Sequence, residues 1–318
     1  MSLQKAAQLT FKIMGLKKDE SLLIVADKNK MHMAEVLFEE GKKITKNAKL
    51  IEIPVGKVSG EPPPKEVEDE MKRYDVEVLI TTTSLTHTKA RRDASSKDVR
   101  IATMPNITKE IFIRFSKADV KTIYNLGENI RKFFNSSGKV RLVTDKGTDI
   151  NFNIRTEQIP QILNNDADFL DKKGDFGNIP LGEVSCRPLE KTANGKFVID
   201  VSVLGELVDK PIEVFVEDGI AINIKGGKTA EKLKNELNKV GKDAFILAEL
   251  GIGTNGSAKI TGNTLEDEKV LGTCHIAFGN NLSYGGTNDV PVHLDAIIGK
   301  PTIFFDDKKI MEKGKFLI

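Results

Sequence analysis

The sequence is poor in cysteine and contains no tryptophan. Among its 318 residues only Cys186 and Cys274 carry a thiol, whereas charged residues make up 30%. Two cysteines do not supply the disulfide network of a small secreted scaffold, and such a chain usually keeps its thiols reduced. We therefore expect a cytoplasmic protein. The first twenty residues agree with this expectation, because they lack the long apolar centre and small-residue cleavage site of a signal peptide.

Long apolar runs and an excess of one charge are also absent. No stretch approaches the roughly 20 apolar residues that cross a bilayer, so no membrane span is predicted. Basic residues number 48 and acidic residues 46, and no basic block alternates with aromatic residues. This balance argues against a nucleic-acid partner, and we expect a peptide or a small molecule instead.

The pattern of apolar residues divides the chain into two predicted domains. In residues 1–134, apolar strands such as SLLIVAD (21–27) alternate with amphipathic helices such as MHMAEVLFEEGKKI (31–44). This alternation predicts an α/β domain with a doubly wound parallel sheet. Residues 135–318 contain hairpin patterns instead, such as VRLVTDKGTDINFNI (140–154), and predict an α+β domain with mainly antiparallel strands.

A glycine motif in the second domain resembles a dinucleotide-binding loop by its spacing. Gly251, Gly253 and Gly256 follow a predicted strand as G-x-G-x-x-G. A dinucleotide site needs a helix directly afterwards, because the N-terminal N–H groups of that helix hold the pyrophosphate. The chain continues instead with SAKITGNT, which has no apolar helical stripe. We therefore interpret these glycines as a tight turn that lets the backbone approach a site.

His293 and Asp295 lie two residues apart within the apolar run VPVHLDAIIG (290–299). Alternate residues of a strand share one face, so the two side chains point the same way. Either Asp295 orients a half-buried imidazole, or both residues bind one metal ion. His275 belongs to a second strand, TCHIAFG, and the Gly- and Asn-rich run 279–288 returns the chain toward His293. Both imidazoles are therefore expected to face one space.

Acidic residues in the same domain complete a candidate metal site. Glu183 lies in an apolar, proline-bounded segment, Glu249 ends an apolar strand, and Glu268 precedes His275 by seven residues. A mixed set of carboxylates and imidazoles suits Zn, Mn, Co or Fe(II). Cys274 is not counted as a ligand, because it alternates with His275 and points to the other face. The sequence contains neither H-E-x-x-H nor C-x-x-C.

Four segments in this order resemble the aminopeptidase T and aminopeptidase S family of metallopeptidases. They are GNIPLGEV (177–184), LAELGIGTN (247–255), DEKVLGTCHIAFG (267–279) and VHLD (292–295). The resemblance implies a hydrolase with a two-metal site in the second domain, an enclosed cavity and a homodimer. The same family also resembles a dihydroxypyridine ring-cleaving dioxygenase, which keeps the His and H-x-D ligands around one Fe(II).

The resemblance implies a metal-dependent aminopeptidase with two divalent ions, of which Zn, Co or Mn are expected. Six metal ligands are carried over by motif: Glu183, Glu249, Glu268, His275, His293 and Asp295. In this interpretation Glu183 and Asp295 bridge the ions, Glu249 is a terminal ligand, and Glu268 is a ligand or the general base. Tyr284 would hydrogen-bond the oxyanion. Two spacings depart from the peptidases: Glu268 to His275 is wider, and His275 to His293 is shorter.

Two other functions stay open at this point. His275, His293 and Asp295 alone form the two-histidine, one-carboxylate set of a mononuclear iron oxygenase. A non-catalytic metal-binding protein is the third hypothesis.

His87 is a candidate catalytic residue in the first domain, because it follows the predicted strand VEVLITTT. Loops at the carboxyl ends of parallel strands often bind ligands. His87 therefore lines the substrate cavity, with Arg91 and Arg92 attracting a carboxylate, or belongs to a capped surface turn.

Overall fold

The chain folds into two compact units. The computed structural model describes residues 2–154 and 167–318, together with the backbone of residues 163 and 164. The first unit comprises Met1–Ala118 and Asp168–Leu181, and the second comprises Asp119–Ala167 and Gly182–Ile318. The first unit is therefore built from two separate parts of the chain.

Helices and strands alternate only in the first part of the chain. The helices among the described residues are α1 (Leu3–Ile13), α2 (Met31–Lys42), α3 (Lys65–Met71), α4 (Lys89–Ser95), α5 (Lys109–Phe115), α6 (Val120–Ser136), α7 (Lys228–Val240) and α8 (Thr264–Asp267). The strands up to residue 186 are β1 (Ser21–Asp27), β2 (Asn47–Ile53), β3 (Val76–Ile80), β4 (Arg100–Thr103), β5 (Lys139–Val143), β6 (Asp149–Asn153), β7 (Leu163–Asn164), β8 (Phe176–Asn178) and β9 (Glu183–Cys186). The later strands are β10 (Asn194–Ile199), β11 (Ser202–Val203), β12 (Glu206–Leu207), β13 (Ile212–Glu217), β14 (Ile220–Lys225), β15 (Leu247–Gly253), β16 (Thr273–Gly279), β17 (His293–Gly299), β18 (Thr302–Phe305), β19 (Lys308–Glu312) and β20 (Lys315–Phe316).

The first unit contains a parallel five-stranded sheet in the order β2-β1-β3-β4-β8. On one face, Leu23 and Leu79 pack with Val67 of α3 and Ala90 of α4. On the other face α1 and α2 approach so closely that a Cβ atom at Gly41 would lie 2.4 Å from Leu22 and 3.3 Å from Phe11. Helices thus cover both faces, and the predicted doubly wound arrangement is confirmed.

Strand β8 is the one part of this sheet that the sequence did not predict. Its three residues, Phe176–Asn178, pair with β4 as the fifth parallel strand. They belong to a segment, Asp168–Leu181, that returns to the first unit. The sequence predicts this segment within the second domain, because three residues without an apolar run give no strand signal.

The second unit contains two mainly antiparallel sheets, as the predicted α+β class requires. One has eight strands in the order β14-β13-β10-β6-β5-β18-β19-β20, and the other has seven in the order β12-β11-β17-β16-β15-β9-β7. The hairpin predicted at residues 140–154 is confirmed as β5–β6. The patterns IEVFVEDGIAINI (212–224) and TIFFDDKKIMEKGKFLI (302–318), which also predict hairpins, form β13–β14 and β18–β19–β20. Phe197 of β10 and Phe278 of β16 contact each other between the sheets, with ring centroids 5.8 Å apart.

Helix α6 lies at the predicted domain boundary. The sequence predicts a division between residues 134 and 135, which falls within the last turn of this helix. By its contacts α6 belongs to the second unit, where Phe134 packs edge-on against Phe305 of β18 at 5.2 Å. The division into 1–134 and 135–318 as folding domains stays a prediction. Among the described residues, no helix is long and apolar enough to cross a membrane.

A carboxyl group is buried in the core of the first unit. Glu77 lies on β3 between Leu23 of β1 and Ile101 of β4, and both of its oxygen atoms are buried without a hydrogen-bond partner among the described residues. Burial without a partner penalises the charged form and raises the pKa of Glu77 well above its usual value. The folded protein therefore favours the neutral acid at this position.

Glu77 should make the stability of the protein depend on pH. Its folded pKa exceeds the unfolded value of 4.5, so its contribution is fully present below pH 4.5 and is lost as the pH rises toward the folded pKa. Glu77→Gln removes this titration. The free energy of unfolding of the variant relative to wild type should increase by about 1.4 kcal/mol per pH unit within that window. Urea unfolding from pH 5 to pH 8 measures it.

The control is Glu52→Gln, on the exposed side of β2 in the same sheet, which should follow wild type at every pH. Parallel stability curves for Glu77→Gln and wild type would show that Glu77 is ionised in the folded state.

Candidate metal centre

Four neighbouring strands of the seven-stranded sheet carry the candidate ligands. The strands lie in the order β17-β16-β15-β9, and their register pairs Asp295 with Ala277, Ala277 with Glu249, and Gly253 with Glu183. Because alternate residues share a face, His275 lies on the face of Ala277. The sheet therefore presents carboxylates and imidazoles from β9, β15, β16 and β17 on one face.

Glu249 lies between the two imidazoles. Its Oε1 is 3.4 Å from Nε2 of His275 and its Oε2 is 2.8 Å from Nε2 of His293. Burial raises the pKa of Glu249, but its hydrogen bonds with His275 and His293, together with the charges of both imidazoles, outweigh burial and lower this pKa well below its usual value. Glu249 is thus an ionised carboxylate that two ring nitrogens hold in place.

His293 has one nitrogen available for a cation. Its Nδ1 is 2.7 Å from the backbone oxygen of Asn280, and a carbonyl oxygen only accepts, so Nδ1 carries the proton. The other nitrogen, Nε2, faces Glu249 and lies 3.4 Å from Oδ1 of Asp295. A backbone carbonyl that fixes the tautomer in this way is common for histidines that bind metals.

His275 faces three carboxylates. Its Nε2 lies 3.5 Å from Glu183, 3.4 Å from Glu249 and 3.9 Å from Asp295. Burial lowers the pKa of His275, but these acids outweigh it and raise the pKa to about 10. The pKa of His293 is also raised well above its usual value, because the charges of Asp295 and Glu249 outweigh burial. Without a metal, protons supply the positive charge that the acids require.

The donor set fits a divalent metal ion. Glu183, Glu249 and His275 form one group whose ligand atoms lie within 4.8 Å of one another, and Glu249, His293 and Asp295 form a second. Oε2 of Glu183 and Nδ1 of His275 are buried without a hydrogen-bond partner among the described residues. An ion beside these groups would supply the positive charge that protonated imidazoles otherwise provide to the acids.

Glu268 is linked to this cluster through Lys269, which is not one of the predicted ligands. The ammonium of Lys269 lies 2.6 Å from Oε1 of Glu268 and 3.0 Å from Oε1 of Glu183. Burial raises the pKa of Glu268 well above its usual value, against the opposing charge of Lys269. The signal for Lys269 was its position within the predicted metal-binding segment DEKVLGTCHIAFG (267–279).

Tyr284 packs against His293. The two rings are stacked, with centroids 6.2 Å apart and an angle of 23° between their planes. Its hydroxyl accepts a 3.4 Å hydrogen bond from Ser185, and its backbone oxygen accepts one of 2.9 Å from Arg187. Burial raises the pKa of Tyr284 well above its usual value, and the charges of Glu249 and Glu183 add to that effect. Tyr284 is therefore neutral and beside the candidate ligands.

His87 lies in the first unit. It is half-buried directly before Thr88, the N-cap of α4, and its backbone oxygen accepts a hydrogen bond from Arg92. Arg91 is buried, and its guanidinium lies 3.7 Å from the ring centre of Phe176. The expected attraction of a substrate carboxylate by Arg91 does not fit this packing. The role of His87 stays a prediction.

The glycine motif provides space for the centre. A Cβ atom at Gly251 would lie 2.0 Å from Cε1 and 2.2 Å from Nε2 of His275. At Gly253 it would lie 2.1 Å from the backbone oxygen of Val270 and 2.9 Å from the carbonyl carbon of Lys269. At Gly256 the nearest of the neighbours is 3.7 Å away. The first two glycines therefore permit close approach of a ring and of the backbone.

Comparison with known proteins identifies the family of the chain. The sequence profile of the 2,5-dihydroxypyridine 5,6-dioxygenase (NicX) family matches residues 2–318. The chain belongs to this family. No curated protein sequence matches the chain.

Two solved structures, one of a dioxygenase and one of AmpT, share the fold of this NicX-family chain. The 2,5-dihydroxypyridine dioxygenase of Pseudomonas putida KT2440 has a TM-score of 0.87 and 17% sequence identity, covering 99% of this chain and 96% of that one. AmpT from Thermus thermophilus has a TM-score of 0.72 and 16% identity, covering 99% of both chains. Identities this low show the fold alone.

The aminopeptidase interpretation of the sequence is wrong. The whole chain matches a dioxygenase family, and the dioxygenase structure is more similar than AmpT. The family points to a dioxygenase, which is an oxidoreductase, and not to a hydrolase. The peptidase interpretation took Glu183 as a bridging ligand and Glu268 as a ligand or the general base, whereas Lys269 pairs with both. The prediction of a metal site is supported by the buried cluster. The predicted homodimer and cytoplasmic location stay predictions.

Removal of either imidazole should weaken metal binding by the NicX-family chain. His275→Ala and His293→Ala each delete a ring nitrogen that faces Glu249 and Asp295, so the dissociation constant for a divalent ion should rise at least tenfold, about 1.4 kcal/mol. Elemental mass spectrometry after dialysis against Mn²⁺ measures the ions per chain. His32→Ala, on the exposed side of α2, is the control. Full metal content in both site variants would contradict this assignment.

A single methyl group at Gly251 should have a similar effect without removing a donor. In Gly251→Ala the new Cβ occupies the space of the His275 ring, which must shift. We expect at least tenfold weaker Mn²⁺ binding in calorimetry and an unchanged far-ultraviolet circular dichroism spectrum. Gly256→Ala is the matched control from the same motif. Equal affinity of Gly251→Ala and wild type would mean that the position of His275 does not determine binding.

Proposed function

We propose that this protein is an iron(II)-dependent dioxygenase that opens the ring of a dihydroxylated pyridine. The family supports this class of reaction. In this chain, the proposal rests on one observation: two imidazoles converge on one carboxylate. Oδ1 of Asp295 lies 3.9 Å from Nε2 of His275 and 3.4 Å from Nε2 of His293. Two histidines and one carboxylate are the ligand set of mononuclear iron(II) oxygenases.

His275, His293 and Asp295 would hold the iron. When bound, iron(II) supplies binding positions for dioxygen and for the oxygen atoms of the substrate, together with the electrons that activate dioxygen. The overall reaction joins one substrate molecule to one O₂. Both oxygen atoms enter the product and one ring bond breaks, so no external electron donor is consumed.

Glu249 is the residue that we assign to proton transfer or to a fourth ligand position. It contacts both Nε2 atoms, and it would lose these hydrogen bonds when the imidazoles bind a metal. Its oxygens then either bind the ion or accept the proton of a substrate hydroxyl group. A carboxylate buried beside the reacting groups suits this second role.

Other residues of the centre orient the ligands and exclude water. The backbone oxygen of Asn280 and the stacked ring of Tyr284 fix the plane of His293. His275 and Glu249 are only 1% and 2% exposed. Low exposure strengthens every electrostatic interaction in the site and limits side reactions with water.

The proposed activity predicts that oxygen consumption matches substrate loss. Protein loaded anaerobically with Fe(II) should consume one O₂ per molecule of 2,5-dihydroxypyridine, measured with an oxygen electrode and by the loss of ring absorbance. Product formed under ¹⁸O₂ should contain two labelled atoms. His293→Ala should lower kcat/KM at least a hundredfold, about 2.7 kcal/mol.

Two control assays test the substrate requirement and the alternative hydrolase activity. A monohydroxylated pyridine tests the need for two hydroxyl groups, and peptides with a free N-terminus, assayed with Zn²⁺ and Co²⁺, test hydrolysis. Loss of the dihydroxypyridine without oxygen uptake, or no turnover by protein that carries iron, would overturn the proposal.

A further inference from the structure

Lys269 is a fully buried ammonium group beside the candidate metal centre. Its side chain is 0% exposed, and its Nζ atom contacts Oε1 of Glu183 and Oε1 of Glu268. A buried charge of this kind is stable only when opposite charges surround it. The positive charge beside the two glutamates is therefore supplied by a side chain of the protein.

Glu183 lies between this ammonium and the imidazole of His275. One of its oxygen atoms, Oε1, lies 3.0 Å from Lys269, and the other, Oε2, lies 3.5 Å from Nε2 of His275. A carboxylate that bridges two metal ions has the same arrangement, with one cation at each oxygen. Here the Lys269 ammonium is the cation on one side.

The backbone is built to bring Lys269 this close. The backbone N–H of Asn255 donates to the oxygen of Lys269 at 2.9 Å. Gly253 has no side chain where a Cβ atom would lie 2.9 Å from the carbonyl carbon of Lys269. A larger residue at Gly253 would push this turn, and the ammonium with it, away from β15.

We propose that the Lys269 ammonium takes the place of a second metal ion, so that the centre binds one divalent ion instead of two. The inference rests on the proposed function only in that the centre binds a divalent ion. Lys269 then determines the number of metal ions. It pairs with Glu183 and Glu268, and His275, His293 and Asp295 remain to bind one ion.

Electrostatic repulsion between Lys269 and a second metal ion would keep that ion out of the centre. The two ions of a two-metal site lie about 3.5–4 Å apart and share carboxylate ligands. An ion bound to Oε1 of both Glu183 and Glu268 would occupy the position of Nζ of Lys269, where repulsion in a dry site is strong. Removal of the ammonium leaves two buried carboxylates without a cation, and these are ligands that a second divalent ion can use.

The test is the number of Mn²⁺ ions per chain. Wild type, Lys269→Met and Lys269→Arg are titrated with Mn²⁺ by calorimetry, and electron paramagnetic resonance reports whether two ions are coupled. We expect one ion for wild type and for Lys269→Arg, which keeps the charge. Lys269→Met should bind two ions with an exchange-coupled spectrum. The double variant Glu268→Gln, Lys269→Met, which lacks one carboxylate of the second position, should return to one ion.

Each other outcome has a defined meaning. One ion in folded Lys269→Met, or two ions in wild type, overturns the role of Lys269 and leaves the metal centre intact. No ion in wild type contradicts the proposed function instead. If Lys269→Met folds only with Mn²⁺, while the double variant folds without it, the ion has replaced the ammonium and the proposal holds. If Mn²⁺ does not restore folding of Lys269→Met, an ion cannot take that place and the proposal is wrong.

Discussion

The burial of several carboxylates on one face of a sheet is the constraint on which the centre depends. Glu183, Glu249 and Glu268 are each less than 7% exposed, and carboxylates in such an environment require opposite charge. The protein meets this requirement with Lys269 on one side and with the imidazoles on the other. Protons or a metal ion complete the balance at the imidazoles, so the affinity for a cation follows directly from the burial of the acids.

The fold was largely predictable, because its strands and helices carry strong periodic signals. The strand β1 has seven consecutive buried residues and is evident as the apolar run SLLIVAD. The seven residues of β16 are buried as well, and this strand is indicated by the alternation in TCHIAFG. Hairpin turns at positions such as Gly147 and Gly219 require positive φ values of 103° and 77°, which glycine adopts easily. Strand β8 gave no such signal. Its pairing with β4 joins residues more than 70 positions apart, and only the three-dimensional structure shows it.

The juxtaposition of the candidate ligands was predictable for a local reason, whereas their charge balance was not. The spacing of His293 and Asp295 places both on one face of a strand, whatever the rest of the chain does. The contact between Lys269 and Glu183 could not be predicted in this way, because Glu183 lies 86 residues earlier in the sequence. No periodicity connects them, and the lysine looked like an ordinary charged neighbour of Glu268. Sequence reasoning therefore identified the acids of the site and overlooked the cation that pairs with two of them.

That omission explains why the peptidase interpretation was attractive. A set of residue types does not specify a reaction, since we propose that the same carboxylates would serve two metal ions when they are free and one when a lysine pairs with some of them. The structural similarity of the chain to both a dioxygenase and AmpT has the same meaning, because a shared fold places the strands but leaves the charge at each site to individual residues. Gly253 and Lys269 illustrate the point. The glycine admits the turn, the turn positions one ammonium, and that ammonium leaves two imidazoles and Asp295 for a single ion.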